Sequence, residues 1–264
     1  VPVVPPQHGA WAFLALPVAV AMTVSTWTPL LVLVATAWIC AYPASYFALA
    51  VVRDRASRHP NPGRFARPLA IWWIATVTAG LPLLILRPWL VWVVLGYVAL
   101  FAVNISFARR RDERALINDA VFVIECAAMV PVTWAVAAGD STIAPPPLPD
   151  VPAHVWVLAA AVGLLLIGSA LHVKSLIRER ADPRYARASR ALAVVSLPAS
   201  VGLALWWGLA AGLLLVVPFA WFMLRSALLA DPTSKPGRIG VVELVGFVLL
   251  VLASMLATAA GGTS

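Results

Sequence analysis

One feature limits the fold of this chain more than any other. Apolar runs, each long enough for the about 20 helical residues that cross a ~30 Å hydrocarbon layer, follow one another along almost the whole sequence, parted by short segments rich in proline and arginine. In lipid every backbone N–H and C=O must be satisfied within the fold, which leaves helices or a closed barrel. A barrel would show short alternating segments instead of continuous runs, so helices are expected. The totals agree: of 264 residues, 62% are hydrophobic and 11% charged. That is more apolar surface than a soluble domain buries and too little charge to cover one. The chain is therefore expected to be an all-α integral membrane protein, one polytopic domain over residues 1–264.

Nine helices are predicted. The first covers residues 8–27, the second 29–52, and the third 68–86 after a loop dense in helix breakers, His59-Pro60-Asn61-Pro62-Gly63. The turn Arg87-Pro88 opens the fourth, which ends in the charged cluster 109–114. The fifth spans 115–138 and empties into the proline-rich, extended segment 139–150. The sixth begins near Pro152 and runs into a charged stretch that reaches Asp182. Helices seven and eight share 188–228, divided around Trp206-Trp207-Gly208, and the ninth occupies 239–260.

With this count, eighteen of the nineteen Lys and Arg residues fall on one side of the membrane and Arg87 alone on the other. By the positive-inside rule the basic side is cytoplasmic, giving an N-terminus inside and a C-terminus outside a bacterial plasma membrane. The net charge of +8 is thereby accounted for by topology, and nucleic acid is not expected as a partner. No basic leader or cleavage site precedes the first run, so it is expected to be a retained span. Cys40 and Cys126 lie within apolar runs and suggest no disulfide framework.

Arg53-Asp54-Arg55-Ala56 matches Arg178-Glu179-Arg180-Ala181 in kind and in setting, each at the end of an apolar run and before a basic loop. The two copies are four spans apart and like-oriented, which predicts a parallel repeat of four-helix units, about 8–114 and 115–228, with the last helix appended. The two tips are expected to share a pocket.

Polar groups at membrane depth are costly unless paired or solvated, so they are the site candidates. On the sixth helix His172, Ser175 and Glu179 are spaced to share one face, with Lys174 and Arg178 as an adjacent basic stripe and Arg180 and Asp182 just beyond. The plainer reading has these cations snorkelling to headgroups and His172 bonded to a neighbouring helix. Helix five offers Asn118, Asp119 and, two turns deeper, Glu125. Asp119 serves equally as a partner for the helix dipole, and Glu125 requires a cation such as Lys174 or Arg53, or a proton. Gln7 and His8 stand at the mouth of helix one as ligand groups or as interfacial anchors. Asn104, Tyr46 and Glu243 read as single interhelical hydrogen bonds. No zinc spacing, phosphate loop or dinucleotide fingerprint occurs.

Pro6-Gln7-His8-Gly9-Ala10-Trp11-Ala12, beside the first span, resembles the opening signature of the YwiC-like family of bacterial membrane proteins. The layout of spans is similar to that of the UbiA superfamily of intramembrane prenyltransferases, whose loops after helices two and six carry Asp-rich motifs that hold Mg²⁺ against an isoprenoid diphosphate. The first motif falls on Tyr46, Ala50 and Asp54 and the second on Ser175, Arg178 and Asp182, with Lys174 before it, so one acid of each set is present. The resemblance implies an isoprenoid or lipid ligand with an anionic head. Arg53, Arg55, Lys174, Arg178 and Arg180 would hold that head; Asp54, Glu179 and Asp182 would orient the cations or an incomplete Mg²⁺ site. Group transfer would use His172 or Glu125 to move a proton. A proton-coupled transporter and a non-catalytic assembly partner are the other expectations.

Overall fold

The computed structural model describes residues 1–57, 59–110, 115–139, 141, 143, 150–229 and 234–261. Among these the regular elements are all helical: α1 (His8–Val24), α2 (Pro29–Arg55), α3 (Ala66–Leu86), α4 (Leu90–Arg110), α5 (Leu116–Ala138), α6 (Ala153–Val173), α7 (Pro183–Trp207), a single turn α8 (Leu209–Gly212), α9 (Val216–Leu228) and α10 (Pro236–Gly261). Seven helical segments are long and apolar enough to cross a membrane, and two shorter apolar ones, Gly9–Val24 and Leu213–Leu228, complete the nine segments expected. The end of the charged cluster, 111–114, and most of the proline-rich segment, at 140, 142 and 144–149, lie outside the described residues.

The boundaries follow local chemistry. Pro29, Pro183 and Pro236 open α2, α7 and α10, where a missing N–H costs nothing and φ is already helical. Asp182 caps α7 by accepting from the Arg184 N–H at 2.9 Å, so this helix starts five residues earlier than expected. Helix α3 stops at Leu86 because Arg87 precedes Pro88 and is forced out of the helical region. Gly139 (φ 102°) ends α5 and Gly208 (φ 123°) ends α7, conformations open to glycine at little cost. The division expected around Trp206-Trp207-Gly208 therefore rests on Gly208.

The chain forms two compact units. The first comprises Val1–Ala15, Ser25–Glu125 and Val132–Asp150; the second comprises Leu16–Val24, Cys126–Pro131 and Val151–Ser264. In the first unit α2 packs against α3 and α4. Trp38 on α2 donates to the Leu14 carbonyl at 3.0 Å, and Trp72 on α3 donates to the Val3 carbonyl at 2.7 Å. Helices α3 and α4 turn Trp73, Ile74, Val77, Leu81, Trp92, Leu95 and other large apolar side chains outward, a surface suited to lipid and not to water.

In the second unit α6 is the buried centre, touched by α7, α9 and α10. Its sequence explains why. Ala159, Ala161, Gly163, Gly168 and Ser169 interrupt Val and Leu, and small side chains let neighbouring backbones approach in the absence of a hydrophobic drive between helices. The closest approach is at Gly168, where an added Cβ would lie 1.7 Å from the Phe222 ring. At Gly163 the same atom would meet Ala127 at an ordinary 3.5 Å. Beyond Val173, α6 continues as one π-helical turn, Lys174–Arg178, closed by the Glu179 N–H on the Lys174 carbonyl at 2.8 Å.

Gly168→Ala is expected to lower unfolding stability by about 1–3 kcal/mol, as overpacked sites do, although alanine is preferred to glycine inside a helix by about 1 kcal/mol. Denaturant unfolding in detergent would measure it. Adding Phe222→Leu should recover part of the loss, and unchanged stability in Gly168→Ala would mean that Phe222 does not rest there.

Candidate functional site

At the tip of α2 the structure engages Asp54 locally. The side chain is buried and accepts from the Asn61 N–H at 2.6 Å and from Arg64, tying the loop back onto the helix that precedes it. Arg53 lies over the Tyr46 ring, 5.8 Å from its centre, and Arg55 is exposed. Gln7 stands just before α1, where its side-chain carbonyl accepts from the Tyr42 hydroxyl, with Trp11 edge-on to the same ring at 5.8 Å. The His8 side chain lies outside what the structure describes.

Asn118 and Asp119 are half-buried in the first turn of α5, where a carboxylate faces the positive helix end. Glu125 finds a neutral partner: Asn104 on α4 donates to its carboxyl at 3.2 Å, and Tyr97 donates to its backbone carbonyl at 2.6 Å. Asn104 thus makes the interhelical bond expected of it.

In the second unit the tip of α6 divides its charges. Lys174 is 3% exposed, Arg178 and Arg180 are exposed, Glu179 is half-buried, and Asp182 caps α7. Ser175 donates back to the His172 carbonyl at 2.8 Å. The π turn starts directly after Val173, so the α-helical spacing that put His172, Ser175 and Glu179 on one face does not continue to Glu179.

One turn deeper lies a cluster that the sequence revealed only in part. His172 on α6, Arg225 on α9 and Glu243 on α10 are 3%, 2% and 6% exposed. Arg225 Nη1 is 2.7 Å from Glu243 Oε1, and His172 Nε2 is 4.0 Å from the same oxygen. On its other side His172 Nδ1 meets the Ser189 hydroxyl of α7 at 3.4 Å. The Arg225 guanidinium lies 4.0 Å above the centre of the Phe222 ring, which stabilises a cation out of water. The Ser169 hydroxyl stands beside the Glu243 carboxyl without a well-formed hydrogen bond. Among the described residues, His172 Nε2, Ser169 Oγ, Arg225 Nη1 and Glu243 Oε1 are all buried without a directed hydrogen bond, so the Arg225–Glu243 pair is balanced in charge but not in angle.

Arg225, one of the eighteen cations that the sequence assigns to the basic side, lies three residues inside the end of α9. Glu243 is more than an interhelical hydrogen bond, being one half of a buried ion pair. The signal available in the sequence was a cation set within a largely apolar run, Phe222-Met223-Leu224-Arg225-Ser226-Ala227-Leu228-Leu229. Among the described residues no group of three or more His, Cys, Asp or Glu side chains comes together in a manner able to hold a metal ion.

Fold and cluster together define a multi-pass membrane protein with ionisable groups inside its helical bundle. Residues 4–134 match the family described as YwiC-like protein, and the chain belongs to that family. It is 28% identical over 188 residues, 69% of this chain and 70% of the relative, to a protein of Bacillus subtilis (strain 168) named Uncharacterized protein YwiC. It is 25% identical over 257 residues to a Haemophilus influenzae (strain ATCC 51907 / DSM 11121 / KW20 / Rd) protein named Uncharacterized protein, a match covering 94% of this chain and 97% of the relative. No solved structure matches.

Removing one member of a buried ion pair leaves a charge without compensation, at a cost of about 3–5 kcal/mol, whereas replacing both with packed apolar residues is often neutral. Arg225→Met is therefore expected to destabilise strongly, and Arg225→Met/Glu243→Met to recover most of the loss in the same unfolding measurement. Equal losses in the single and double variants would show that the two side chains are not coupled.

Proposed function

We propose that the protein is a nine-span plasma-membrane protein of bacteria, N-terminus inside, that binds an amphipathic ligand with an anionic head, an isoprenoid or lipid phosphate, at the basic tip of α6. One observation carries this reading: at that tip Asp182 is engaged in capping α7, while Arg178 and Arg180 are displayed outward beside the buried Lys174. A tip where one of two acids caps a helix and two guanidinium groups are exposed favours an anion over a metal ion, since guanidinium groups pair directly with phosphate oxygens. The apolar outer faces of the bundle would leave the ligand tail in lipid. A UbiA-like arrangement of the nine spans and a group-transfer step belong to the same proposal.

Arg178→Ala/Arg180→Ala is expected to weaken binding of a prenyl diphosphate to the full chain in detergent by about tenfold or more, two charge-assisted contacts being lost. Binding that is absent from the parent protein, or equal in the variant, would overturn the reading.

A second reading, a proton-coupled carrier, is favoured by the buried His172, Arg225 and Glu243, because intramembrane ionisable groups facing one another are the usual parts of proton pathways. Proteoliposomes holding the chain should then dissipate an imposed pH gradient faster with substrate present, and Glu243→Gln should abolish the difference. Dissipation at the rate of empty vesicles under every substrate tried would sink the carrier.

A further inference from the structure

We propose that Arg225 and Glu243 form a proton-gated site for a small oxyanion, a carboxylate or phosphate, in which the carboxylate of Glu243 holds the place that the external anion takes when Glu243 is protonated. The inference gives the carrier reading its exchange site and rests on that reading only for transport; binding stands by itself. It is separate from the cations at the tip of α6.

The geometry carries it in three steps. Arg225 presents a guanidinium fork whose natural complement is two parallel oxygens, yet Glu243 Oε1 stands 2.7 Å from Nη1 without a directed hydrogen bond. The fork is neutralised but not matched. Next, His172 Nε2 stands 4.0 Å from Glu243 Oε1, and Ser169 Oγ stands beside the same carboxyl, each at least nine-tenths buried and each without a hydrogen-bond partner among the described residues. Both polar atoms are left with hydrogen-bonding capacity that an oxyanion would use. Finally, α6 loosens into its π turn one residue beyond Val173, and such turns recur where a helix serves a site.

The exchange balances in atoms and charge. A proton passes to the Glu243 carboxylate, with His172 as the neighbouring group able to hand it on. Glu243 becomes neutral, Arg225 keeps its charge, and one monovalent anion enters against the guanidinium. Carboxylate and cation are replaced by anion and cation, so the net charge of the site is unchanged and no bare charge is left in the bundle. The end of α1 meets α10 through Thr23 on Ser254 and brings no titratable group, and the π turn, which shares an apolar cluster with Ile239 through Leu176, brings Lys174 and Arg178. Helix α6 contributes His172 and Ser169, α9 contributes Arg225, the stretch Leu209–Leu215 contributes no titratable group, and α7 reaches the cluster through Ser189 on His172.

Thermodynamic linkage supplies the test. If the anion binds only when Glu243 is protonated, the anion must raise the affinity of Glu243 for its proton. Infrared titration of the full chain in lipid vesicles reads the protonated-carboxyl band, and its loss in Glu243→Gln assigns it against Glu125. The band's midpoint is expected to move to higher pH as acetate, formate or inorganic phosphate is added, approaching about one unit per tenfold rise in concentration for one proton per anion. Arg225→Lys keeps the charge but lacks the fork and should need about tenfold more anion for the same shift. In Glu243→Gln, labelled acetate should bind at pH 8 about tenfold more tightly than to the parent, which checks the inference independently of how well Arg225→Lys folds. A midpoint indifferent to all three anions, a Glu243 that does not titrate, or an undiminished shift in Arg225→Lys would overturn the proposal and leave a structural ion pair. Arg178→Ala/Arg180→Ala should leave the linkage intact, so failure of the ligand site at the tip of α6 remains distinguishable from failure here.

Discussion

The second unit depends on the absence of a side chain at Gly168. With nothing there but backbone, the Phe222 ring lies directly on α6 and draws α9 against it at a distance no larger residue permits. Arg225 follows Phe222 by three positions, the spacing that places two side chains on one face of a helix. Its guanidinium therefore lies over the same ring and reaches into the space that α10 fills with Glu243. Phe222 and Gly168 make a steric contact, Arg225 and Phe222 a contact of charge with aromatic face, and Arg225 and Glu243 an ion pair. Each sets the position of the next, so the electrostatic arrangement inside the unit follows from a packing decision on α6.

Acids and cations in this protein follow different rules at the helix ends and in the interior. At the ends the carboxylates serve the backbone: Asp54 holds the Asn61 N–H, and Asp182 holds the Arg184 N–H. Such bonds recruit an acceptor for donors that a loop or a helix start would otherwise leave unmet. The cations at the ends, Arg55, Arg178 and Arg180, are exposed. In the interior the relation changes, because neither charge can be left alone there. Arg225 and Glu243 meet each other, while Glu125, without a cation among its described partners, takes the amide of Asn104.

Much of the architecture was legible because hydropathy and helix punctuation are properties of short stretches. Pro29 and Gly208 announced their boundaries, and the nine apolar segments emerged from run length alone. The start of α7 was missed by five residues since the run of apolar residues begins at Ala188, whereas the helix begins at the cap Asp182 and Pro183. The π turn at Lys174–Arg178 left no trace in composition, because it depends on which carbonyl the Glu179 N–H reaches. Arg225 was visible as a residue but not as a site. A cation near the end of a span satisfies topology whether it snorkels outward or turns inward, and only the contact of Phe222 with Gly168 decides between them.

An ion pair in such a place can be understood as glue or as machinery, and the satisfaction of its atoms separates the two. Glue has no need of charge here, since packed apolar side chains hold helices together at least as well as a buried pair, and α6 already provides close packing through its small residues. Glue would also be complete: a pair retained for stability gains most when both oxygens and the guanidinium fork engage and the polar neighbours close around them. Here Glu243 Oε1 and Arg225 Nη1 meet at 2.7 Å without a directed hydrogen bond, and the imidazole of His172 and the hydroxyl of Ser169 stand beside the carboxyl without a well-formed one. Four polar atoms sharing one buried space without directed hydrogen bonds are costly to keep. The arrangement is better matched to a second set of partners, one in which a proton sits on Glu243 and two oxygens of another molecule lie along the fork of Arg225.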